Sequence, residues 1–156
     1  MTMRSFLHAL AWTKRHLTGK FRIELGAAKP FVQIGDTVID IGAHGGAWTR
    51  PLAKMVGRKG HVYAFEALPY YAKTLRMTAK MLCMGPQVSI VNKALTDKAG
   101  IIRMVWKDPS GKLLTGRTHV ASASEQAPEM IEVEAVTLDG FLGSVVVQPS
   151  WLPGQA

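Results

Sequence analysis

Two acids and a glycine-rich turn carry the chemistry legible in this chain. Residues 38–49 read V-I-D-I-G-A-H-G-G-A-W-T, an apolar strand running into a turn at Gly42 and then a helix. A second apolar run, residues 61–65, ends on Glu66. A glycine turn at the carboxyl end of a parallel strand lets a ligand approach the backbone with no side chain between them. An acid closing the neighbouring strand accepts hydrogen bonds from both hydroxyls of a ribose. Side by side, the two describe a site for a nucleoside-bearing cofactor.

Spacing selects the cofactor. The dinucleotide fingerprint G-x-G-x-x-G needs glycine at 42, 44 and 47, where the chain has Gly42, His44 and Ala47. The S-adenosylmethionine pattern, acid-x-G-x-G-x-G, is met at Asp40, Gly42 and Gly46, with His44 in the middle place. The interval from Asp40 to Glu66 holds one turn, one helix and one strand, so the acid returns to the same pocket. A nicotinamide oxidoreductase is disfavoured by the same count.

With these residues the chain resembles the FkbM-type methyltransferases. Their turn, D-[VI]-G-A-[NH]-x-G-x-x-T, is matched by Asp40, Gly42, Ala43, His44, Gly46 and Thr49. Their V-x-A-F-E block is matched by residues 62–66, N-x-A-L-[ST]-D by Asn92, Ala94, Leu95, Thr96 and Asp97, and T-L-D by Thr137, Leu138 and Asp139. The resemblance covers roughly residues 30 to 142. One departure is Ala67, where the family usually has proline. It implies a Rossmann-like parallel sheet of the class I methyltransferase type, S-adenosylmethionine as cofactor, and methyl transfer to a hydroxyl of a sugar or secondary metabolite. The cofactor-binding set it implies is Asp40, Gly42, Ala43, His44, Gly46, Thr49 and Glu66.

Each of these residues also has a plainer role. Asp40 buttresses the turn or receives the cofactor's amino group; otherwise it caps neighbouring N–H groups. Gly42 and Gly46 serve close approach, or only a tight turn. Glu66 takes the ribose, or caps the helix that follows. His44 titrates near neutrality and so qualifies as a general base, but inside this turn its backbone is the expected contributor. Thr49 bonds the turn or is structural, and Asn92 borders the adenine. No catalytic base is named by the sequence. The other histidines, at 8, 16, 61 and 119, lack metal-ligand spacing, and one cysteine cannot complete a zinc site.

The elements that must position these groups alternate. Strands at 37–41, 61–65 and 88–91 are separated by a helix with Trp48, Leu52, Met55 and Val56 on one side, and another with Leu68, Ala72, Leu75, Ala79 and Leu82. That order is a parallel α/β half. Residues 101–106 and 131–136 read as strands of a β-hairpin insertion after the third strand, joined by a polar loop over 108–128. At the N-terminus, Met3, Phe6, Leu7, Leu10 and Leu17 recur at helical spacing among Arg4, Lys14, Arg15 and Lys20. This predicts a helix capping one end of the sheet or covering its edge, with weak interfacial membrane contact as the alternative. The expected division is one domain over 1–156: a helical cap (1–30), a cofactor half (31–97) and a partial second half (98–156).

Composition sets the remaining bounds. With 47% hydrophobic residues in 156, the chain can bury a core. A single cysteine, Cys83, excludes an intramolecular disulfide and suggests a reducing, cytoplasmic setting, with the thiol buried on its helix. No apolar run approaches the ~20 residues of a membrane span. Residues 1–120 hold all nineteen Lys and Arg against six acids, a balance of +13, while residues 121–156 hold five acids and no base. The bases are scattered without an aromatic groove, so a small-molecule or glycan acceptor is expected rather than nucleic acid. The family's D-V-E-G-x-E strand is not found after Asp139; residues 145–147 stand where it would begin, and Pro149 follows. The expectation is a truncated member, which leaves a cofactor-binding module without turnover as the alternative. It also leaves the first strand with an open edge that favours self-association.

Overall fold

The computed structural model describes residues 3–17, 28–114, 117–122 and 129–146. It divides into two compact units, residues 1–93 and 94–156.

The first unit is built on a parallel sheet of β1 (Thr37–Ile41), β2 (His61–Phe65) and β3 (Val88–Val91), in that order. Thr37 lies opposite His61 and Ile41 opposite Phe65, so the ends of β1 and β2 that precede Gly42 and Glu66 are level. Among the described residues, the α-helices α1 (Met3–Leu17), α2 (Thr49–Val56) and α3 (Pro69–Met81) accompany the sheet. Leu52, Ala53 and Val56 of α2 bury against Val62, with Val38, Trp48 and Val88 packed around them. Leu75 of α3 does the same for Ala43 and Ala64, with Ile90 alongside. The apolar periodicity of both helices therefore points where the sequence predicts. Leu68 is extended, as a residue before proline must be, and Pro69 opens α3.

One expectation in this unit fails, and the apolar stripe of α1 is not its inward face. α1 is a helix, but it packs on α3 with Ser5 and Ala9 buried, while Met3, Leu7, Leu10 and Leu17 face outward. Small side chains let two helix backbones approach closely, and the leucine stripe lies on the opposite side. Cys83 is exposed rather than buried. Its N–H donates to Lys80 O and that of Met84 to Ala79 O, a Schellman closure that puts Cys83 at φ 48°. Met84 takes the buried place instead.

The second unit is a mixed sheet ordered β4-β7-β5-β6, from β4 (Ala94–Leu95), β5 (Gly100–Val105), β6 (His119–Val120) and β7 (Met130–Val136). β5 and β7 form the predicted antiparallel pair, with Gly100 opposite Ala135 and Val105 opposite Met130. Along β7, Val133 and Ala135 are buried while Glu132 and Glu134 are exposed, the period of two that a one-sided sheet requires. Lys107 pairs with Glu129. Within the stretch read as a loop, β6 adds a short strand to β5; residues 115–116 and 123–128 of that stretch lie outside the described residues. Residues 145 and 146 belong to α4 (Leu138–Val146), not to a strand. Thr137 decides this locally: its carbonyl accepts from Phe141 N and its hydroxyl from Gly140 N, which starts a helix. Residues 147–156, including the tail at Pro149, lie outside the described residues. The architecture is α/β, a Rossmann-like parallel sheet followed by an antiparallel pair.

Candidate functional site

Asp40 is the fourth residue of β1 and is buried. Its Oδ2 accepts the hydroxyl hydrogen of Thr49 at 2.6 Å, and the Thr49 N–H adds to it. Thr49 is itself fully buried at the first position of α2. The acid thus ties the end of the strand to the start of the helix across the glycine turn. Burial pushes its carboxyl above the ordinary value, against the two Thr49 bonds.

The turn is held from the β2 side. Gly42 N and Ala43 N both donate to Phe65 O at 2.9 Å, and Gly46 N donates to Ala43 O at 2.7 Å. His44 N donates to Glu66 Oε2 at 2.9 Å. Glu66 Oε1 accepts from Leu68 N, also at 2.9 Å. One buried carboxylate therefore fastens the turn after β1 to the entrance of α3. Burial raises its pKa most, the N–H groups of Leu68 and His44 oppose this, and the charge of Asp40 adds to the rise. Asn92 completes the frame: its side-chain amide donates to Glu66 O at 2.8 Å and Ala67 O at 2.9 Å.

The glycines separate by what a side chain would meet. At Gly42, φ is +77° and the direction of a Cβ is open for 4 Å. A Cβ on Gly46, at φ +81°, would lie 2.6 Å from Leu75 Cδ1, and one on Gly45 would overlap the Trp12 ring. Gly46 and Gly45 are therefore packing glycines, toward α3 and α1. Gly42 is the glycine that leaves backbone accessible.

His44 lies in the left-handed region at φ 47°. Its ring stacks on Tyr71 with centroids 4.0 Å apart and meets Trp12 edge-on at 5.0 Å. Both ring nitrogens are buried without a hydrogen-bond partner. Burial, then the charges of His8 and Arg15, lower its pKa to about 4. The imidazole is neutral at pH 7 and enclosed, which suits a structural ring rather than a general base.

All seven residues singled out from the sequence, Asp40, Gly42, Ala43, His44, Gly46, Thr49 and Glu66, meet around the ends of β1 and β2. The sequence did not point to Trp12, Gly45 or Tyr71. A tryptophan on a helix and the second glycine of G-x-x-G-G were the available signals, without any link between them. The arrangement fits a cofactor in two respects. Gly42 leaves an open approach, and each Glu66 oxygen, with one N–H accepted, retains a second lone-pair direction.

No curated protein sequence matches the chain. Among solved structures, it is similar to a SAM-dependent methyltransferase from Aquifex aeolicus at 29% identity, covering 40% of this chain and 32% of that one, with a TM-score of 0.38. It is also similar to a SAM-dependent O-methyltransferase from Thermotoga maritima at 16% identity, covering 72% of this chain and 64% of that one, with a TM-score of 0.42. The chain thus spans less than two thirds of either structure's length. The methyltransferase FkbM domain model matches residues 40–149, from the Asp40 clamp through the glycine turn and Glu66 to the second unit. That match takes in more than half of the sequence, so the chain belongs to the FkbM family of S-adenosylmethionine-dependent methyltransferases.

Proposed function

We propose that this chain binds S-adenosylmethionine across the ends of β1 and β2 and transfers its methyl group to a hydroxyl of a sugar or secondary metabolite. The observation that carries the reading is the Glu66 carboxylate, buried and already aimed by two backbone N–H groups. Fixed in this way, it accepts ribose hydroxyls without reorganising. Gly42 offers the uncovered backbone beside it. Asp40 and Thr49 hold the turn's shape from below, and Asn92 holds the 66–67 corner. When bound, the cofactor supplies an electrophilic methyl on a sulfonium sulfur. The chain's own contribution is alignment of cofactor and acceptor and exclusion of water.

Calorimetry with S-adenosylhomocysteine and with NAD tests the cofactor. Binding of the first and not the second is expected. Glu66→Ala should weaken S-adenosylhomocysteine by roughly 1.5–3 kcal/mol, the loss of a charge-assisted acceptor. Unchanged affinity in that variant would place the pocket elsewhere. Transfer of a labelled methyl group to a panel of hydroxylated sugars tests turnover. Binding without transfer would favour the second reading, a cofactor-binding module.

A further inference from the structure

α1 turns its small residues inward and its large ones out. Ala9 is fully buried and Ser5 nearly so, and Trp12 covers Gly45. On the opposite side Met3, Leu7, Leu10 and Leu17 recur at intervals of four, three and seven, which is one stripe of a helix. They are 74%, 55%, 43% and 69% exposed. Lys14 sits at the stripe's remaining position and is exposed as well. Leucines scattered singly need no explanation, but a continuous stripe on one element marks a docking face.

Charge identifies the occupant. Lys14 lies within the stripe, and the sequence runs through Arg4, Arg15, Lys20 and Arg22 before its first acid, Glu24. A second copy presenting the same face would set like charges against each other. A nucleic acid would take the cations and leave the leucines in water. A surface of acidic lipid satisfies both, headgroups for the bases and the acyl boundary for the apolar stripe. No helix among the described residues is long and apolar enough to cross a membrane, so attachment would be peripheral.

We propose that the outward face of α1 docks in the plane of an anionic membrane surface through Met3, Leu7, Leu10 and Leu17, with Lys14 on the headgroups. Because the inner face of the same helix packs over Gly45 and His44, docking holds the candidate cofactor turn about one helix diameter, ~10 Å, from the lipid. The inference does not depend on the methyltransferase reading.

Sedimentation of the full chain with vesicles tests it, using phosphatidylcholine alone or mixed with phosphatidylglycerol. The mixed vesicles should bind at least about tenfold more strongly at low salt, and the difference should shrink as salt is raised. Leu7→Gln/Leu10→Gln should lower binding to mixed vesicles about tenfold, and Lys14→Gln a few-fold. These positions face solvent, so far-UV circular dichroism and thermal unfolding should match the wild type. Absence of wild-type binding to mixed vesicles would overturn the proposal, as would equal binding by the double-leucine variant. So would light scattering that shows the double variant converting an oligomer to a monomer, which would assign the stripe to a second copy.

Discussion

His44 shows how one side chain couples acidity to stability. Its folded pKa, about 4, lies below the ordinary 6.5. Between those values the unfolded chain takes up a proton that the folded chain refuses. The stabilisation is therefore whole above pH 6.5 and is lost as pH falls toward 4. Discounted for partial exposure, it amounts to about 2 kcal/mol. Asparagine tolerates the left-handed backbone, so His44→Asn should fold while flattening this dependence. Chemical denaturation of both proteins at pH 7 and pH 4.5 checks it, and equal slopes with pH would refute it. Comparing the two proteins cancels Asp40 and Glu66, whose raised pKa values act in the opposite sense. The acids themselves were legible, because an acid closing a buried strand has few structural explanations. The imidazole's enclosure was not: Trp12 and Tyr71 reach it from helices distant in sequence, and no local pattern encodes such a meeting.

At the scale of the element, glycines with similar φ have different work. Gly42→Ala and Gly46→Ala should each lose about 1–2 kcal/mol to left-handed strain. Gly46→Ala must also displace Leu75 in a filled cluster, adding a further ~1–3 kcal/mol for overpacking. Thermal unfolding should therefore rank Gly46→Ala lower, while S-adenosylhomocysteine calorimetry should rank Gly42→Ala lower. The reverse order would exchange their roles. The elements themselves were largely readable: β1, β2, β3, α2, α3 and the β5–β7 pair follow from apolar runs, periods and breakers. α1 was readable as a helix but not in its orientation. Periodicity marks a stripe, yet Ser5 and Ala9 prevail at the contact because α1 packs closely on α3. α4 was misread because Val145, Val146 and Val147 look extended in isolation, whereas the capping contacts of Thr137 begin a helix earlier.

At the scale of the whole molecule, β1 hydrogen-bonds one neighbour, β2, among the described strands. Its last residue, Ile41, is exposed, and so are Phe31 and Ile34 on the approach to it. An apolar edge with unpaired backbone groups is a template for another strand. The net charge of +8 opposes association, but screening limits that repulsion to about 8 Å at physiological salt. Backbone pairing acts at contact distance, so the edge should win. We expect the isolated chain to self-associate as its concentration rises. Ile41→Lys, which puts a charge on the edge, should return it to monomer. Leu7→Gln/Leu10→Gln, on the distant face of α1, should leave the association unchanged. Light scattering across a concentration series reads all three. A wild-type monomer that unfolds cooperatively at an ordinary mesophilic temperature would show instead that the edge is covered within the chain itself.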